Sequence, residues 1–396
     1  MIRYVNPYTP GAGFMPSYIA GRDVIITEAD ASMNALKCRF PQQSVIYYGL
    51  RGVGKTVLLN KLEDIAENLD ILYEHIEVKE KDGFIEQLAN SAAKFLRKIS
   101  KKEVALDFAR KAMEAVRAIN IKASMDAQGN ISAGISADSE FHIDASLSDQ
   151  LTDMFVSLGN AANKSEDTIC FFIDEIQYMK KDELESLINA IHRVNQKRLP
   201  IMIFGAGLPK VFKELGDAKS YSERLFHFVE VGALLEPEAR LAITEPAKLP
   251  EDSRVEYEDG AVNRIIAVTK GYPYFIQEFC DIIWKNTDNE IITEQEVRAN
   301  EKAFYDALDA GFFKVRYERS TNREKDFMFA MVKCGNLPCN ITNVANIMGK
   351  SVGAISPIRA QLINKGLIYA TGFAEIDFTV PEFDNYLKRV NPDLHN

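Results

Sequence analysis

The run Gly49-Leu50-Arg51-Gly52-Val53-Gly54-Lys55-Thr56 restricts this chain more than any other stretch, because it satisfies the pattern G-x-x-x-x-G-K-[ST] in full. Ser44-Val45-Ile46-Tyr47-Tyr48 before it is β-branched and aromatic and reads as a buried strand. Thr56-Val57-Leu58-Leu59-Asn60-Lys61-Leu62 after it carries apolar residues at helical spacing. A strand, a glycine loop and a helix in that order turn backbone N–H groups and the positive end of a helix toward a polyphosphate. Gly52 and Gly54 allow the backbone to approach it closely. Lys55 is expected on the β- and γ-phosphates and the Thr56 hydroxyl on Mg²⁺, with Gly49, Arg51, Val53 and Val57 completing the cradle.

Such a site also needs a carboxylate for the metal and one to orient an attacking water. Thr168-Ile169-Cys170-Phe171-Phe172-Ile173 reads as a strand buried on both faces, and Asp174 and Glu175 follow at its end. Ligands of open α/β sheets gather at the carboxyl ends of strands, which puts this pair where phosphates belong. Asp174 is the candidate for the Mg²⁺ shell, through water, and Glu175 for polarising the hydrolytic water. A third strand, Pro200–Phe204, runs into Gly205-Ala206-Gly207. Between the two, Asp182-Glu183-Leu184-Glu185 matches a capping box ahead of a helix with Leu184, Leu187, Ile188, Ile191 and Val194 on one face. Strands alternating with helices predict a parallel sheet.

A chain of 396 residues exceeds one core and predicts two or three domains. Residues 1–232 read as an α/β core, with a Pro-, Gly- and Tyr-rich lead-in over 1–22 and an insertion over about 100–150. Within the insertion, alternation at Ile119, Ile121, Ala123 and Met125, then Ile131, Ala133 and Ile135, around Gln128-Gly129-Asn130, predicts a β-hairpin. Residues 233–318 read as a helical lid, in which Thr293-Glu294-Gln295-Glu296 matches a second capping box. Residues 319–396 predict three helices, near Arg323–Lys333, Ile341–Met348 and Val352–Lys365, followed by two extended pieces at Leu367–Ala370 and Glu375–Val380. That order is a winged helix-turn-helix, whose second motif helix can enter a major groove; Lys350, Ser351, Ser356, Arg359 and Gln361 are the candidates to face duplex DNA from the 341–380 segment. Acids nearly balance bases there, so a protein-contact role stands beside the DNA role.

The net charge of −10 disfavours broad nucleic-acid coating. The five cysteines, at 38, 170, 280, 334 and 339, form no C-x-x-C pair and read as reduced thiols of a cytoplasmic protein. No apolar run reaches membrane-spanning length, and the N-terminus with Pro7, Pro10 and Pro16 has no signal-peptide core.

With these motifs in place, the chain resembles bacterial AAA-type P-loop ATPases close to the origin-recognition-complex and STAND groups. Six stretches carry the resemblance: Tyr18–Asp23, the glycine loop, the Asp174-Glu175 strand, Gly205-Ala206-Gly207-Leu208-Pro209, Ser222–Phe226 and Gly271-Tyr272-Pro273-Tyr274. The resemblance implies a P-loop core, a helical lid and a winged helix, with ATP or ADP and Mg²⁺ as ligands. It implies that Ile19, Gly21 and Arg22 border the adenine, that Pro273 packs on base or sugar, and that Arg224 serves as an arginine finger reaching a neighbouring copy. Two departures stand out. Gly205 or Ala206 occupies the place of the usual polar sensor, and no arginine stands at the γ-phosphate-sensing lid position. Both imply a slow ATPase acting as a switch. The alternatives are an ATP-controlled DNA-loading protein and a scaffold that holds nucleotide without hydrolysis; a small-molecule kinase is disfavoured by the tandem acids.

Overall fold

The expected strand ahead of the glycine loop is β1 (Ser44–Tyr48), buried over its first four residues. The computed structural model describes residues 5–79, 83–128, 146–218, 222–249 and 255–391. Before β1 comes α1 (Asp23–Lys37), and after the loop α2 (Lys55–Asn68) buries Leu58, Leu59 and Leu62. Then follow β2 (Leu72–Glu77), α3 (Phe84–Ile99), α4 (Leu106–Gln128), α5 (Leu147–Lys164), β3 (Ile169–Asp174), α6 (Lys181–Gln196), β4 (Ile201–Gly207), α7 (Val211–Ala218), α8 (Ser222–Leu225) and β5 (Phe226–Glu230). The five strands are parallel, in the order β2-β3-β4-β1-β5. Consequently β4 runs between the strand that feeds the glycine loop and the strand that ends in Asp174.

Alternation along β3 explains why its residues are so uniformly apolar. Phe171 points to α3 and α5, with ring centroids 5.3 Å from Phe95 and 5.4 Å from Phe155. Phe172 turns to the other face and stacks on Phe204 of β4 at 5.4 Å. Each such ring, fully buried, contributes about 1.5–3 kcal/mol of transfer free energy.

Two expectations fail here. The first arm of the hairpin predicted at 119–125 is helical, since α4 continues to Gln128. Its alternating apolar residues are separated by Asn120, Lys122 and Ser124, and the helix entering from Leu106 propagates at one hydrogen bond per residue. The second arm, at 131–135, lies outside the described residues. The capping box predicted at Asp182–Glu185 is shifted: α6 starts at Lys181, and the Glu183 carboxylate accepts the Lys180 N–H at 2.9 Å. Asp182 instead sits in the first turn, where a carboxylate favours the helix dipole.

The chain divides into two compact units, one of Arg22–Gly49 with Lys55–Val231, the other of the residues up to Gly21, Leu50–Gly54 and Gly232 onward. In the second unit, α9 (Glu236–Ala247), α10 (Asp259–Thr269), α11 (Pro273–Asn286) and α12 (Glu294–Ala307) form a bundle, with a two-stranded ribbon of β6 (Glu256–Tyr257) and β7 (Ile291–Ile292). The capping box at Thr293 is present, Thr293 N–H donating to Glu296 at 2.8 Å and Glu296 N–H to Thr293 Oγ1 at 3.3 Å. The N-terminal lead-in is tied to these helices: Tyr8 Oη donates to Ile243 O at 2.6 Å, and Trp284 Nε1 to Val5 O at 3.1 Å.

A π-helical segment, Leu308–Phe313, leads into α13 (Lys314–Glu318) and α14 (Asn322–Lys333). Then come β8 (Cys339–Asn340), α15 (Ile341–Ile347), α16 (Val352–Asn364), β9 (Ile368–Gly372), β10 (Glu375–Phe378) and α17 (Phe383–Val390). The three helices and the hairpin occupy the predicted places; β8 and α17 are additions, β8 pairing with β10 to make a three-stranded sheet. An aromatic core runs through this unit. Phe279 stacks on Phe304 at 4.6 Å, Phe275 meets Phe313 at 6.4 Å, and Phe313 packs on Tyr386 of α17 at 5.4 Å.

Candidate functional site: a phosphate loop with an acidic pair

In the first unit, the register of the sheet brings the two halves of the predicted site together. Thr56 Oγ1 donates to Asp174 Oδ2 at 2.6 Å, 118 residues away in sequence. The other oxygen of Asp174 accepts the Glu175 N–H at 2.8 Å. Lys55 is buried, at 8% exposure, and its ammonium donates to Gly49 O at 3.0 Å. Gly49 N–H in turn donates to Gly207 O at 3.2 Å, fixing the loop's first residue against the end of β4.

Glu175 has φ 56° and ψ 38°, the left-handed region, and leads a 3₁₀ turn over Ile176–Tyr178. A non-glycine residue there carries about 1–3 kcal/mol of strain that the surroundings must sustain, and such residues gather at functional sites. Gln177, 3% exposed, sits in that turn; its Nε2 donates to Glu175 Oε2 and its Oε1 accepts the Leu208 N–H at 2.9 Å. The end of β4 supplies no polar side chain, only Gly205-Ala206-Gly207, all inside the strand.

The loop itself turns at Gly52 (φ +84°) and Gly54 (φ +90°), values closed to most side chains. In the second unit, residues 50–54 are held by the Gly271-Tyr272-Pro273-Tyr274 stretch: Tyr272 Oη donates to Arg51 O, and Tyr274 N–H donates to Gly52 O at 3.2 Å. Pro273 opens α11 and is half-buried. Gly271 has φ +70°, its carbonyl accepts the Leu234 N–H at 2.8 Å, and an added Cβ would run into the Leu234 carbonyl. Gly271→Ala is therefore expected to lower unfolding free energy by about 2–3 kcal/mol, from left-handed strain plus a backbone clash, read as a shifted midpoint in denaturant titration; an unchanged midpoint would refute the close packing.

The remaining candidates lie apart from this centre. Gly21 (φ +64°) belongs to the second unit, where a Cβ would meet Glu238 at 2.7 Å and Leu234 at 3.1 Å; Ile19 beside it is half-buried. Arg22, on the first unit's side of the division, is the N-cap of α1. Arg224 is exposed on α8, ahead of β5, and therefore at the amino ends of the strands, opposite the end that carries Asp174 and Glu175. Within one copy it is not at the acidic pair.

Sequence reasoning missed two polar residues. Gln177 was legible only as the fourth letter of Asp174-Glu175-Ile176-Gln177. Arg316 left no local signal. Its guanidinium lies 4.0 Å from the Phe312 ring centroid and donates to Phe312 O, and burial, followed by the like charge of Arg51, pushes its pKa down to about 10. A desolvated arginine beside Arg51 makes that part of the second unit receptive to anions.

The donor set suits a magnesium–triphosphate. Mg²⁺ takes few protein ligands, all oxygens, with phosphates and water completing its shell; the Thr56 hydroxyl and Asp174 carboxylate, already within bonding distance of each other, are such a pair. Around Gly54 a Cβ would meet nothing within 4 Å, so no neighbouring side chain fills the space beside that residue. Among the described residues no cluster of three or more His, Cys, Asp or Glu suits a metal, and no helix is long and apolar enough to cross a membrane.

Residues 38–208 match a family described as AAA domain, and residues 310–387 one described as domain of unknown function (DUF8462). No curated protein matches. Among solved structures, the Aeropyrum pernix ORC2 protein in its ADP form is 12% identical with a TM-score of 0.50, over 96% of each chain. The Aeropyrum pernix ORC1 protein in complex with DNA is 14% identical (TM-score 0.45; 95% of this chain, 94% of that one). The Thermotoga maritima RuvB Holliday junction branch migration motor is 16% identical (TM-score 0.42; 93% and 95%). At such identities the likeness concerns fold alone.

Proposed function

From the premise that residues 38–208 form an AAA-type P-loop domain, we propose that this protein binds ATP with Mg²⁺, hydrolyses it slowly, and uses the bound state as a switch relayed to a winged helix at its C-terminus. The observation that carries the reading is the direct hydrogen bond from Thr56 of the glycine loop to Asp174, with Glu175 as the next residue. Lys55 would neutralise the β- and γ-phosphates, and Thr56 directly and Asp174 through water would hold Mg²⁺, which would supply Lewis-acid stabilisation of the phosphate charge. Glu175 accepts a proton from, and orients, the attacking water. Ile19, Gly21, Arg22 and Pro273 are assigned to the nucleoside end. Arg224, exposed and at the far edge of its own sheet, suits donation to a neighbouring copy. Switching follows if ATP and ADP differ in affinity for two conformations, which is all a ligand can use to shift a population.

A second reading, ATP-controlled loading on duplex DNA, is favoured by the exposed face of α16, by Lys350 at its start, and by Phe373, fully exposed at the β9–β10 tip. It is weakened at Lys365, which is committed to buried Glu324 at 2.7 Å, since phosphate contacts need positive charge. One experiment separates the readings: ATP turnover measured against protein concentration, with and without duplex DNA, at several salt concentrations. Turnover per chain that rises with concentration supports a finger in trans. Stimulation by DNA that fades with salt supports loading. No turnover with retained ATP binding leaves the non-hydrolysing scaffold.

A further inference from the structure

We infer that Gln177 is a positioning residue for Glu175, and that it links the catalytic carboxylate to the glycine loop through the end of β4. The inference rests on the reading of Glu175 as the group that orients the hydrolytic water.

Both ends of the Gln177 amide are used. Its NH₂ donates to Glu175, and its oxygen accepts the Leu208 N–H at 2.9 Å, so the network fixes which way the amide faces. Burial at 3% exposure excludes water as a substitute partner on most sides. The place it fills is reserved: a Cβ on Gly207 would come within 2.9 Å of the Gln177 oxygen. A glutamate side chain otherwise samples many rotamers, and ordering it costs up to about 2 kcal/mol of entropy. A donor that is itself anchored on both sides removes that freedom before substrate arrives. The backbone of Glu175, held left-handed, fixes the root of the side chain, and Gln177 fixes its tip.

The anchor reaches further. Gly207, adjacent to Leu208, accepts the Gly49 N–H at 3.2 Å. A path therefore runs from the first residue of the glycine loop, through Gly207 and Leu208, to Gln177 and Glu175, entirely within the first unit. A shift of Gly49 on phosphate binding moves the end of β4, and with it the donor that aims the carboxylate. The strand end offers no side chain to do this, because its residues are Gly205, Ala206 and Gly207; the adjacent turn supplies one instead.

The test compares wild type, Gln177→Ala, Gln177→Glu and Glu175→Gln in kcat, KM, ATP affinity by calorimetry, and the pH dependence of kcat between pH 5.5 and 8.5. Gln177→Ala is expected to lower kcat about 10-fold, a part of the roughly 10²–10⁴-fold that a general base contributes, with KM and ATP affinity within twofold. Gln177→Glu keeps the shape and an acceptor for Leu208 N–H but loses the donor. Its kcat is expected to be low at neutral pH and to recover relative to wild type as pH falls, because the introduced carboxyl regains a proton to donate. A role in packing alone would give no such pH dependence. If Glu175→Gln abolishes turnover while both Gln177 variants match wild type in kcat and pH profile, the inference is overturned and the functional reading survives. A loss of kcat matched by an equal loss of ATP affinity also overturns it. Wild-type turnover no faster than that of Glu175→Gln removes both.

Discussion

Lys55→Ala is expected to weaken ATP binding roughly 10³-fold, about 4 kcal/mol, while leaving the fold intact. The ammonium is buried against Gly49 O in the loop that turns at Gly52 and Gly54. A triphosphate presents several negative charges to a partly desolvated site, where one opposing charge is worth far more than in water. Without nucleotide, the same ammonium bears a desolvation cost that its carbonyl partner only partly offsets. The variant should therefore melt within a few degrees of wild type in the absence of ligand. It should lose the nucleotide-induced rise in melting temperature, which scales as RT ln(1 + [L]/Kd). Calorimetry decides the matter: ATP affinity within threefold of wild type would falsify the assignment of the loop.

Glu175→Gln should separate binding from chemistry. The amide has the carboxylate's shape and can hold the same left-handed backbone, but it cannot accept a proton from water. ATP affinity should change less than threefold. Turnover should fall 10²–10⁴-fold, the range for removing a general base, or about 3–5 kcal/mol of barrier. Phosphate release followed over hours, beside ATP affinity, distinguishes this from a folding defect, which would lower both together. If the variant hydrolyses ATP at the wild-type rate, another group activates the water.

The parts of the site that could be read from sequence are those whose chemistry is local. The glycine loop is contiguous, and the β3 acids announce themselves because a strand buried on both faces ends abruptly in charge. The capping box at Thr293 was legible for the same reason, since its partners are three residues apart. The box at Asp182 was misplaced because three acids, Asp182, Glu183 and Glu185, lie within four positions, and only the helix start at Lys181 decides which one reaches back. The false strand at 119–125 came from alternation without regard to the helix already under way from Leu106. Arg316 could not be found: its partner Arg51 is 265 positions earlier, and only the packing of Phe312 and Tyr274, at 4.8 Å, brings that segment to the loop. Short elements such as β8 have two residues, too few for any periodicity to show.

The interlocked rings of the second unit have a mechanical outcome. Phe275, at the start of α11, is geared through Phe313 to Tyr386 and Phe383 of α17, and the Lys270 ammonium grips Glu382 at the other flank. The stretch whose Tyr272 and Tyr274 hold residues 51 and 52 is thereby joined, ring by ring, to α17.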